Sequence, residues 1–165
     1  MKKIKWTITL MSIVMLIIFM SLTNLSICEN SSTENCQTNP DSIVITGNQN
    51  WQLIKTTSQV QIFAKEVSCI DAVNGISMKK VLLKIDNLTS SAINVSWDNK
   101  LYYNSICRTC TGNPAENHIA VYIPANSLVA GLCSGVNPKL TLFIEMIGMQ
   151  SESLTSFELT NLSIY

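Results

Sequence analysis

Cys107-Arg108-Thr109-Cys110 is the tightest cluster of chemically capable side chains in the sequence, and three chemistries use that spacing. A redox C-x-x-C opens a helix, whose N-terminus lowers the pKa of the first thiol. Here Thr111-Gly112-Asn113-Pro114 follows, which is loop composition. A structural zinc site needs four tetrahedral ligands, and Cys107, Cys110, His118 and Cys133 form a Cys₃His set. The sequence has no second C-x-x-C and no H-x-x-x-H to support it. The third chemistry is cross-bracing by disulfides, the usual use of cysteine in a small domain in an oxidising compartment.

The N-terminus decides among them. Lys2, Lys3 and Lys5 precede a charge-free, mainly apolar run from Ile8 to Leu22, and a polar segment begins at Glu29. This is the layout of a secretory signal, and the run is shorter than the roughly 20 residues of a membrane span. We expect a signal over residues 1–28, a Ser/Thr/Asn/Glu-rich tether over 29–41 and one folded domain over 42–165. The expected location is therefore extracytoplasmic: secreted, periplasmic or on the cell surface. Ser26 and Cys28 take the two small positions before the cut. Leu25-Ser26-Ile27-Cys28 also looks like a lipobox, so a membrane-tethered lipoprotein carrying lipid on Cys28 is an alternative, although Ile27 departs from the small residue a lipobox wants there. An uncleaved signal would be an N-terminal anchor.

Export makes Cys69, Cys107, Cys110 and Cys133 candidate disulfide residues, with Cys36 left over in the tether. Four cysteines allow three pairings. The favoured one is Cys69–Cys107 with Cys110–Cys133, each joining a strand end to the loop over residues 104–117. Its competitor is a local Cys107–Cys110 bridge with Cys69–Cys133.

His118 is the single histidine. Glu116 is a candidate ion-pair partner two residues away. No Ser- or Cys-based nucleophile motif accompanies it. The carboxylates Asp71, Asp86, Asp98, Glu145, Glu152 and Glu158 are scattered singly, without glycosidase-like pairing. P-loop, Rossmann, H-E-x-x-H and EF-hand patterns are missing. We therefore assign no catalytic, cofactor-binding or metal residue. Trp51, Trp97, Tyr102 and Tyr103 are candidates for a carbohydrate- or peptide-binding face, with Trp97 placed in the core. Asn30, Asn87, Asn94 and Asn161 begin N-x-S/T sequons.

Signal removal takes three of eleven basic residues and none of the eleven acidic ones, so the mature chain is net negative. Lys79-Lys80 is the one basic pair that remains, and it reads as a solvated strand edge. Without a positive footprint in the sequence, nucleic acid is not an expected partner.

The elements that must position these residues are strands. Ile93, Val95 and Trp97 alternate with Asn94, Ser96 and Asp98. Val81/Leu83/Ile85, Ile119/Val121/Ile123 and Leu140/Leu142/Ile144/Met146 repeat the pattern. Alternation at period two buries one face and wets the other. Turn residues recur at short intervals, among them 47–50, 71–75, 86–91, 124–127 and 135–138, and Asp98-Asn99 is a hairpin candidate. Phase slips predict bulges at Lys65–Glu66, where a strand buried on both sides is the alternative, and at Thr160–Asn161. No helical stripe exceeds a turn or so. The fold class predicted is all-β, a two-sheet antiparallel sandwich stapled by disulfides.

Lys84-Ile85-Asp86-Asn87-Leu88-Thr89-Ser90, followed by Ile93-Asn94-Val95-Ser96-Trp97, resembles a hairpin of immunoglobulin-like sandwiches. Tyr102-Tyr103-Asn104, Cys107-x-x-Cys110, Ile123-Pro124-Ala125-Asn126-Ser127 and Gly131-Leu132-Cys133 resemble small exported bacterial β-sandwich proteins of unknown function. The resemblance spans residues 60–164 and implies no activity. The Cys…Trp…Cys spacing of true immunoglobulin domains is not kept, because Cys69 and Cys107 lie too close together. The functional expectation is a non-catalytic extracytoplasmic binding or structural module. Its contact surface would be the loops 104–117 and 124–138, and its partner a protein or glycan. A small secreted hydrolase whose site forms only in the fold is the alternative.

Overall fold

A computed structural model describes residues 41–111 and 114–165. The expected signal, the Cys28 lipidation alternative, Cys36 and residues 29–40 of the tether lie outside them. The chain runs β1 (Ile43–Val44), β2 (Gln52–Thr56), β3 (Val60–Asp71), β4 (Ile76–Asn87), β5 (Ile93–Tyr103), β6 (Ile106–Cys107), a helical turn α1 (Pro114–Asn117), β7 (His118–Ile123), β8 (Leu128–Ala130), a 3₁₀ turn (Pro138–Leu140), β9 (Thr141–Met146) and β10 (Leu154–Ile164).

Two antiparallel five-stranded sheets result. In the first, β10 lies between β1 and β5, while β7 pairs with the start of β5 and β6 with its end. In the second, β3 lies between β2 and β4, and the far side of β4 is shared by β8 and β9. The period-two faces meet between the sheets. Val60, Ile62, Leu83, Ile85, Val95, Trp97, Ile123 and Leu140 are completely excluded from solvent. Trp97 lies in this core as expected, and its indole Nε1 donates 2.9 Å to Asn99 Oδ1, which satisfies the one polar atom that its burial strands.

Several local expectations are corrected. Asp98-Asn99 is not a hairpin, because β5 runs straight through it. Asn99 points inward to Trp97 and Asp98 outward to neighbouring strands, so both polar side chains are satisfied within the strand. No bulge interrupts β3 against β4 at Lys65–Glu66, since pairing is continuous from Val60↔Asn87 to Asp71↔Ile76. The phase slip has another cause: Cys69 turns away from the core side and is buried there beside its disulfide partner. Lys79-Lys80 is not on an edge, because β4 is paired on both sides. The expected bulge at Thr160–Asn161 is present, with a register shift after Thr160 and Asn161 at φ 53°.

The favoured cysteine pairing is also overturned. The disulfides are Cys69–Cys133 and Cys107–Cys110, with Cα separations of 5.4 and 5.6 Å. Strand alternation explains it. Val60, Ile62 and Ala64 face the first sheet, so Cys69 leaves β3 on the opposite side, out of reach of Cys107 on β6. The 131–137 loop supplies Cys133 instead. It leaves β8 with Gly131 N donating to Leu83 O. A Cβ at Gly131 would sit 2.2 Å from Leu140 O, so the close pass of the chain there needs glycine.

Candidate functional site

Pairing of β5 with β7 sets Asp98 directly opposite His118 on the outer face of the first sheet. The bulge in β10 brings Asn161 to the same point. His118 Nδ1 lies 2.7 Å from Asp98 Oδ1, and Asn161 Nδ2 donates 2.7 Å to Asp98 Oδ2. Those contacts, first from Asn161 and then from His118, hold the Asp98 carboxyl below its ordinary value. The partner of His118 is thus Asp98 rather than the expected Glu116. A carboxylate-oriented imidazole is two parts of a nucleophile-base-acid triad. Among the described residues, no hydrogen bond brings a hydroxyl or thiol to the imidazole, and half of the His118 side chain is exposed.

The other sequence candidates disperse. Cys107 and Cys110 are bonded to each other and Cys133 to Cys69, so the Cys₃His set does not assemble. Among the described residues, no group of three or more His, Cys, Asp and Glu side chains is placed to hold a metal ion. Tyr102 and Tyr103 point to opposite faces, as adjacent strand residues must. Tyr103 reaches the second sheet, donating 2.6 Å to Phe143 O, and burial pushes its hydroxyl pKa up. Tyr102 donates 2.8 Å to Glu158 Oε1, and that hydrogen bond raises its pKa. Glu158 is almost wholly buried, with Lys100 Nζ 3.7 Å from its other oxygen. Sequence reasoning missed this pair of contacts, because Glu158 stood alone; its place opposite Lys100 follows only from the β5–β10 register.

The cysteine loop is tied down by more than its disulfide. Thr109 Oγ1 accepts from Leu101 N and donates to Asn99 O, both at 2.9 Å. Arg108 forms a bidentate ion pair with Glu152, which fixes the loop to the β9–β10 connection. Ser153 N donates to Asn104 Oδ1 at 3.3 Å across the same joint. The start of the 124–138 segment does not join this rim. Ile123 pairs with Ile93 at one end of β5, whereas Ile106 pairs with Tyr103 at the other. At that first end, Asn87 Nδ2 donates to Ser91 O and Pro124 O, while its Oδ1 accepts from Thr89 N and Oγ1. The Asn87 sequon is therefore consumed by the fold.

Two depressions of about 100 Å³ lie elsewhere. One is lined by Gly47, Glu66, Val67 and Lys79, the other by Ile43, Ile54 and Leu159. Neither includes His118. Comparison with protein-family models, with curated proteins and with solved structures returns no match.

Proposed function

We propose that the protein is an exported, non-catalytic binding or structural module, released from a signal ending at Cys28 and presented on a short polar tether. Two disulfides support an oxidising compartment outside the cytoplasm. Among the described residues, no helix is long and apolar enough to cross a membrane. The contact surface in this reading is the cysteine loop at residues 104–111 with the adjoining residues 150–153. The observation that carries it is the bracing of that rim: a disulfide, a bidentate Arg108–Glu152 pair and the Thr109 bonds hold an exposed loop on a rigid sandwich. A pre-ordered loop loses less freedom on binding a protein or glycan partner.

The Asp98–His118 pair favours a second reading, a small secreted hydrolase. Turnover of chromogenic ester, glycoside and peptide substrates by the secreted protein and by His118→Ala separates the two. The module reading expects identical, background-level traces. Turnover abolished by His118→Ala would replace it with the hydrolase. Intact mass of the product reports the N-terminus: an unmodified chain starting at Glu29 supports plain export, and a diacylated Cys28 makes it a tethered lipoprotein.

A further inference from the structure

We propose that the outer face of the second sheet binds an acidic polysaccharide. Alternation sends Phe63, Lys65 and Val67 of β3 and Lys80, Leu82 and Lys84 of β4 away from the core. The register sets Phe63 beside Lys84, Lys65 beside Leu82, and Lys80 between Val67 and Phe143. Trp51 stands one residue before Gln52, the partner of Ala64, and so falls next to Lys65. Lys65 Nζ lies 4.6 Å from the Trp51 ring centroid. Lys84 Nζ lies 3.9 Å from that of Phe63 and 5.7 Å from that of Trp51.

Three lysines distant in sequence thus form one zigzag. Lys80 and Lys84 are about 13 Å apart along β4, and Lys65 is the diagonal neighbour of both, about 7–8 Å away. Aromatic rings beneath Lys65 and Lys84 fix the ammonium groups in place. Lys84 spends part of its charge on Asp86 at 3.2 Å. Among the described residues, neither Lys65 nor Lys80 has a carboxylate partner. This face therefore gathers positive charge at Lys65 and Lys80 around Leu82, which is itself only 4% exposed, and is bounded beyond Val67 by the Cys69–Cys133 bridge.

The face also selects the class of polyanion. β4 is paired on both sides, and β3 is covered on its far side by β2 as far as Ala64 and by Asn48 O at Glu66, so beside Phe63, Lys65 and Lys84 an extended peptide finds no main-chain partners, as it would at an edge. What the face offers is a line of ammonium groups with the rings of Trp51, Phe63 and Phe143 alongside. That suits a linear polymer of carboxylate-bearing sugars, whose acid groups meet lysines and whose apolar C–H faces meet ring edges. This surface is distinct from the cysteine loop, so the proposal goes beyond the module reading and neither failure implies the other.

The test is a fluorescence titration of the full secreted chain with polygalacturonate at low salt, followed through Trp51. Polyglutamate, phosphatidylglycerol vesicles and neutral dextran run in parallel. We expect a saturable change with polygalacturonate that weakens as salt screens the charges. Lys65→Ala/Lys80→Ala should weaken it about tenfold, the value of two exposed ion pairs, with the urea midpoint unmoved. Lys80→Ala alone, whose side chain lies over no ring, should give a smaller loss and serves if the double variant folds poorly. Lys139→Ala, a lysine away from this face whose Nζ donates to Ala120 O, should bind as the parent does. Absence of binding, equal binding to polyglutamate or to vesicles, or an unchanged affinity in both lysine variants would overturn the proposal.

Discussion

Asn87 shows how a single polar side chain can close one end of the sandwich. It is buried, and its amide joins the β4–β5 turn to the chain leaving β7. Replacing it with alanine strands Thr89 N and unties the turn from the β7 exit, although Ser91 O keeps Thr89 Oγ1 and Pro124 O keeps Ser127 Oγ as donors. Asn87→Ala should cost about 1–3 kcal/mol, the penalty for unpaired buried groups, read as a lower urea midpoint at unchanged m-value. Expression in a glycosylating host should leave Asn87 unmodified in folded protein. Asp98 acts in the opposite setting, on an open face. Its folded-state pKa lies below its unfolded value, so its contribution is complete above about 3.8 and drains as pH falls through the folded value. Urea midpoints of the parent and Asp98→Asn should therefore differ at pH 7 and draw together as pH falls below about 3.8. A gap that stays constant with pH would mean that the carboxylate charge contributes nothing.

The two disulfides divide unequally at the level of elements. Cys69–Cys133 spans 64 residues and Cys107–Cys110 only three. By loop-closure entropy the long bridge stabilises by about 4 kcal/mol and the short one by about 1.6. Cys69→Ser/Cys133→Ser should thus lower the denaturation midpoint far more than Cys107→Ser/Cys110→Ser, and a non-reducing peptide map should recover those two linked pairs. The strands themselves were legible in the sequence, because Val81/Leu83/Ile85 and Ile93/Val95/Trp97 each carry a one-faced period-two pattern that needs no partner to be read. What the pattern omits is adjacency. Lys79-Lys80 reads as an edge until β9 is seen to pair beyond it. Asp98-Asn99 reads as a turn until β7 and β10 supply partners for Asp98 and Trp97 for Asn99. The cysteine pairing and the Lys65–Lys80–Lys84 zigzag depend on which face each strand turns outward, and that is settled only by register.

Across the whole molecule, stability should be graded outward from two central strands. β4 is paired along one side with β3 and on the other with β8 and β9, and β5 is flanked in the same way by β10 and by β6 with β7. Both carry side chains completely excluded from solvent, Leu83 and Ile85 on β4, Val95 and Trp97 on β5. The β3–β4 hairpin runs past this core. Ile70 is 74% exposed and Val73 is 94% exposed near its tip, where the Asp71 carboxylate receives the amides of Val73 and Asn74 and little else holds the chain. Local opening is cheapest where apolar contacts are few. Amide hydrogen exchange should therefore find the slowest protons at 81–85 and 95–99, opening only with global unfolding, and the fastest at 72–75. Because the core is one cluster shared by both sheets, the slow protons of β4 and β5 should report the same opening free energy. Two distinct values would mean that the sheets unfold separately, and the sandwich would then be two cooperative units instead of one.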